Sequence, residues 1–121
     1  MARRVLIVDD EPNIVASLEF LMRSNDFEVR SARDGDEALA LIERFVPDVI
    51  LLDVMLPGHS GFEICRRIRA NAALQQVRIV MLTARGRATE QDMGLALGAD
   101  AYVVKPFSTR EVVRTVQELM P

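Results

Sequence analysis

Val49-Ile50-Leu51-Leu52-Asp53-Val54-Met55-Leu56-Pro57-Gly58 is the stretch that decides the fold. Its first four residues are apolar without alternation, so a strand built from them is buried on both faces, and such strands belong to parallel sheets covered by helices on both sides. Similar runs recur at Val5 to Val8, Val77 to Leu82 and Ala101 to Val104, with a shorter candidate at Phe27 to Val29. Between and after them apolar residues take helical spacing: Ile14, Leu18, Leu21 and Met22; Ala38, Leu41, Ile42 and Phe45; Phe62, Cys65 and Ile68; Met93 and Leu97; Val112, Val113, Val116, Leu119 and Met120. Pro12 sits where a first helical turn tolerates it, Pro47 follows the second helix, Gly98 follows the fourth, and Ser108 before Glu111 has capping-box spacing. With right-handed crossovers, this alternation predicts a doubly wound α/β sheet of five parallel strands in the order 2-1-3-4-5.

A chain of 121 residues, 50% hydrophobic and 27% charged, fits one packed domain over residues 1–121 and argues against disorder. Its apolar runs fall far short of the ~20 residues that span a bilayer, and the start Met1-Ala2-Arg3-Arg4-Val5 lacks a secretory apolar region. Membrane insertion and export are therefore not expected. The only cysteine, Cys65, makes neither an internal disulfide nor a CxxC metal spacing, which fits a small core residue in a reducing cytoplasm. Fifteen basic against eighteen acidic residues give a net charge of −3, with no basic excess to track a nucleic acid backbone. Fourteen of the basic residues are arginine, and the one lysine is Lys105.

In an open parallel sheet the ligand sits outside the carboxyl ends of the strands, so the residue just past each apolar run matters most. Those residues are Asp9-Asp10, Asp53, Thr83 and Lys105-Pro106. Singly, each has a plain alternative: an aspartate that caps the helix beginning near Pro12, a strand-end hydroxyl, a surface charge. Together they suggest chemistry. Three carboxylates ~5 Å apart repel by about 3 kcal/mol per pair at an effective dielectric of 20, so such a cluster wants a divalent cation or a proton. An oxygen-only site favours Mg²⁺, which completes its shell with water and phosphate oxygens. A carboxylate such as Asp53 then serves as an in-line nucleophile toward phosphorus, with Lys105 and Thr83 balancing the remaining oxygens. Neither GxxxxGK[ST] nor GxGxxG occurs, and the acidic loop after the first strand would repel a nucleotide or flavin phosphate. The dehalogenase-like phosphatases carry a second Asp two residues after the nucleophile; here that position is Met55.

The motifs Val-Asp-Asp-Glu (Val8 to Glu11), Asp-Val-Met-Leu-Pro-Gly (Asp53 to Gly58), Leu-Thr-Ala (Leu82 to Ala84) and Gly-Ala-Asp-Ala-Tyr-Val-Val-Lys-Pro-Phe (Gly98 to Phe107) carry a resemblance. From Val5 to Met120 the chain resembles the receiver domains of bacterial two-component response regulators, whose sheet is of the flavodoxin-like type. The resemblance implies Asp53 as phosphoacceptor and Mg²⁺ held by Asp10, Asp53, the Met55 backbone carbonyl and, through water, Asp9. Thr83 and Tyr102 would form the switch, and Lys105 would bridge Asp53 and the phosphate next to a cis Pro106. Met55 and Arg85 would tune the lifetime of the acyl phosphate. The phosphoryl donor would be a histidine on a histidine kinase or phosphotransfer protein, and the only reaction catalysed would be the domain's own phosphorylation and dephosphorylation.

Five residues also carry ordinary readings. Tyr102, as a lone aromatic in a terminal strand, could be packing alone, His59 reads as a solvent-facing loop residue, and Arg110, Glu111 and Arg114 as a solvated helix face. By resemblance, the fourth helix, fifth strand and fifth helix, about Arg87 to Leu119, change on phosphorylation and meet an output partner or a second copy. Gln91, Ala101 and Thr115 stand where receivers joined to winged-helix DNA-binding domains carry charges, which leaves pairing of two copies open. Two other readings remain at this point: an interaction module regulated by docking without phosphorylation, and a small Mg²⁺-dependent phosphohydrolase.

Overall fold

The computed structural model describes residues 3–84 and 88–121. Strands and helices alternate along the chain: β1 Arg4–Val8, α1 Pro12–Ser24, β2 Glu28–Ala32, α2 Gly35–Phe45, β3 Val49–Asp53, α3 Gly61–Ala70, β4 Arg78–Ala84, α4 Ala88–Ala96, β5 Ala101–Lys105 and α5 Thr109–Leu119. A short 3-10 turn, Ala72–Leu74, lies between α3 and β4. The strands form one parallel sheet in the order β2-β1-β3-β4-β5, the arrangement expected from the alternation. Val5 of β1 pairs with Val29 on one side and Val49 on the other.

Because successive side chains of a strand point to opposite faces, each strand feeds two apolar layers. Leu6, Val8, Ile50, Leu52, Ile79 and Met81 pack under α2, α3 and α4, where Ile42, Ile64 and Ile68 meet them. Val5, Ile7, Val49, Leu51, Val80 and Leu82 pack under α1 and α5, against Leu18, Met22, Val112 and Val116. Cys65 is fully buried in the first layer, as expected, and burial pushes its thiol pKa up. Among the described residues, no helix is long and apolar enough to cross a membrane.

The helix starts are specified locally. Asp34, Ser60 and Ser108 accept hydrogen bonds from the backbone N–H of Glu37, Glu63 and Glu111, which satisfies donors left open by the first turn. Pro12 occupies the first turn of α1. Gly98, at φ +107° after α4, takes a backbone conformation that a Cβ would strain.

Two expectations are corrected. The second strand is Glu28–Ala32, not Phe27–Val29. Phe27 sits in the preceding turn, its N–H donating to Met22 O, while Arg30 and Ser31 continue an edge strand whose outer positions need not be apolar. On α4, Met93 is exposed, and it is Gly94 that faces the sheet, tight against Met81. A glycine there lets the helix approach closely but carries no hydropathy signal.

Candidate functional site

Parallel pairing brings the carboxyl ends of β1, β3, β4 and β5 to one edge. Asp9, just past β1, is fully buried and continues the ladder through its N–H to Ala32 O at 3.1 Å. Its Oδ1 accepts from Glu11 N at 2.9 Å and its Oδ2 from Lys105 Nζ at 2.8 Å. Asp9 therefore does not cap α1, whose cap residue is Glu11 without a side-chain cap bond. Asp10 is exposed. Asp53 ends β3 with 6% of its surface exposed, and its Oδ1 accepts from Met55 N at 3.3 Å.

Carboxylate oxygens of Asp9, Asp10 and Asp53 lie within 4.8 Å of one another. Lys105, at the end of β5, reaches into this cluster: its Nζ is 2.8 Å from Asp9, 3.5 Å from Asp53 and 3.8 Å from Glu11. The ammonium thus sits closer to Asp9 than to Asp53. Lys105–Pro106 is cis, in line with the expectation. Glu11, which closes the Val8–Glu11 motif, is a fourth acid at the edge of this cluster.

Burial pushes the Asp53 carboxyl from 3.8 up to about 6; Lys105 pulls it down and the Asp9 charge adds to the rise. For Lys105, burial alone would lower the pKa, but its hydrogen bond to Asp9 and the charges of Asp53, Asp9 and Glu11 outweigh that and hold it above the ordinary lysine value. One ammonium against three clustered carboxylates leaves the pocket net negative. Two of those acids are buried and one faces solvent, so a hard divalent cation fits the donor set and has a way in.

Thr83 is fully buried near the end of β4, and its Oγ1 has no hydrogen-bond partner among the described residues. An orphaned hydroxyl costs stability and is poised to donate to an incoming oxygen. Tyr102 lies on β5 with 42% of its surface exposed, so its ring points outward and is not core packing. The Met55 side chain is exposed as well. Arg85 and Arg87 lie outside the described residues.

Two residues of the β3–α3 segment show geometry that the sequence did not announce. Gly61 lies so close to the Asp53 carbonyl oxygen that a Cβ would collide with it. His59 is half-buried: its ring packs on Gly35 of α2, and Nε2 lies 3.0 Å from Asp36 Oδ1.

The response regulator receiver domain family matches residues 5–117. A protein of Chloroflexus aurantiacus described as a response regulator is 37% identical, with 98% of each chain covered and a TM-score of 0.94. The chemotaxis response regulator CheY4 of Vibrio cholerae is 32% identical, with 99% of this chain and all of that one covered and a TM-score of 0.93. A CheY-like receiver domain protein of Methanospirillum hungatei is 29% identical over 98% of this chain and 93% of that one, with a TM-score of 0.90. With the sheet order in agreement with this match, the chain belongs to the response regulator receiver domains of two-component systems.

Proposed function

We propose that the chain is a phosphorylatable switch whose acceptor is Asp53. The observation that carries this reading is a buried carboxylate at a strand end, grouped with two further acids and within 3.5 Å of the only lysine. In the transfer, an Asp53 oxygen forms a bond to the phosphorus of a phosphohistidine on a histidine kinase or phosphotransfer protein. The phosphorus–nitrogen bond breaks, and the imidazole leaves with the electron pair and takes up a proton from solvent. At pH 7.5 a carboxyl at about 6 is ionised in most molecules and ready to attack.

Asp10, Asp53 and the Met55 backbone carbonyl would hold Mg²⁺, with Asp9 acting through water, and the ion would neutralise charge on the phosphoryl oxygens. Lys105 shifts its balance from Asp9 toward the phosphoryl group, and Thr83 Oγ1 donates to another of its oxygens. As the Thr83 hydroxyl turns toward the phosphoryl oxygen, the Tyr102 ring moves inward into the space vacated, which reshapes the face made of α4, β5 and α5 that an output partner or a second copy reads. Residues 1–121 act as one such unit in the cytoplasm, without contacting nucleic acid directly. Met55 stands where a phosphohydrolase would need a second acid, so turnover of exogenous esters is not part of this reading.

The test is intact mass after incubation with Mg²⁺ and acetyl phosphate, beside Asp53→Asn and a chelator control. One added phosphoryl group on wild type alone, only with Mg²⁺, is the expected result. Absence of both the adduct and any response to a beryllofluoride phosphoryl mimic would replace this reading with a docking module that works without phosphorylation.

A further inference from the structure

The segment from Val54 to Ser60 between β3 and α3 carries the backbone that faces Asp53, and most of it is pinned from its own side. Val54 N donates to Leu82 O at 3.2 Å, Leu56 packs on the core, and Gly61 N donates to Val54 O at 2.9 Å. The outer turn, Pro57 to His59, has one described anchor on another element. The His59 ring lies on the bare backbone of Gly35, where a Cβ would sit 2.6 Å from His59 Cβ. Its Nε2 is 3.0 Å from Asp36 Oδ1. An ionised carboxylate only accepts, so Nε2–H is the donor. Asp36 is 87% exposed and His59 29%, so the pair adds little to global stability; what it fixes is where the turn lies.

We infer that His59 is a positioning residue: by seating on Gly35 and donating to Asp36, it fixes the turn at 57–59 and with it the Met55 backbone that borders Asp53. This rests on the reading of Asp53, Asp10 and Met55 as the Mg²⁺ site, but its first readout needs no metal.

Amide hydrogen exchange of metal-free wild type, His59→Ala and His59→Gln is compared with Mg²⁺ affinity by calorimetry on the same samples. Losing one anchoring hydrogen bond speeds local exchange by about fivefold. His59→Ala is therefore expected to speed exchange at the amides of Met55, Leu56, Gly58 and position 59 by that amount and leave the β1 and β3 amides unchanged. Mg²⁺ affinity is expected to fall at least threefold, and His59→Gln, which keeps a donor, to recover at least half of both effects. Exchange within twofold of wild type, no recovery in His59→Gln, or an equal speeding of the core strands would overturn the assignment. Failure of wild type itself to bind Mg²⁺ would sink the metal reading, while the exchange comparison would still decide the tether.

Discussion

Replacing Asp53 with Asn tests the electrostatics of the site before any phosphoryl chemistry is attempted. A carboxyl that holds its proton more tightly when folded stabilises the fold below its unfolded pKa, and that contribution is lost as pH rises through the folded pKa. Burial places Asp53 at about 6 against an ordinary 3.8, which corresponds to about 3 kcal/mol lost once pH exceeds 7, with only a small part of it already lost at pH 4. Asn is close in shape to the protonated acid and uncharged at every pH. Asp53→Asn is therefore predicted to exceed wild type by about 3 kcal/mol at pH 8 and by only a small fraction of that at pH 4, in metal-free buffer. In thermal terms the gain at pH 8 is about 10 °C in Tm for a domain of this size. Urea unfolding followed by circular dichroism from pH 4 to pH 8, with chelator present, measures the difference directly. Added Mg²⁺ should close the gap by stabilising wild type alone. A gain that does not change with pH, or a variant weaker than wild type at pH 8, would refute the claim that burial of this charge strains the fold.

Three further substitutions probe single features. Thr83→Val removes a buried hydroxyl that has no partner among the described residues, so stability is expected to hold or to rise by about 1 kcal/mol in thermal unfolding, while the Tyr102 environment no longer responds to beryllofluoride in NMR spectra. Gly61→Ala pushes a Cβ into the Asp53 carbonyl oxygen and is expected to cost about 2 kcal/mol or more in urea unfolding, with slower labelling by acetyl phosphate. Asp34→Ala removes the side-chain acceptor for Glu37 N at the start of α2 and is expected to cost about 1 kcal/mol by the same measure.

The sheet order and the gathering of Asp9, Asp10, Asp53 and Lys105 were legible because both follow from one-dimensional signals: apolar runs without alternation, and what stands directly after each run. β2 was read too early and too short because an edge strand with one solvated face tolerates Arg30 and Ser31, which weakens the apolar signal. The helical spacing of Met93 and Leu97 does not mark the buried face of α4, because the residue that packs on the sheet is Gly94, which has no hydropathy signal. The contact of His59 with Gly35 and Asp36 joins a loop to the first turn of a helix more than twenty positions away, and no local pattern encodes such a meeting. The preference of Lys105 for Asp9 over Asp53 is a matter of tenths of an ångström, which spacing along a chain does not resolve.

The sheet backbone divides the interior into two apolar compartments, one under α2, α3 and α4 and the other under α1 and α5. Side chains on opposite faces of a strand share no partners, so substitutions such as Ile64→Val on one side and Val112→Ala on the other should be close to additive. A lineage carrying this fold can therefore drift on one face without renegotiating the packing of the other.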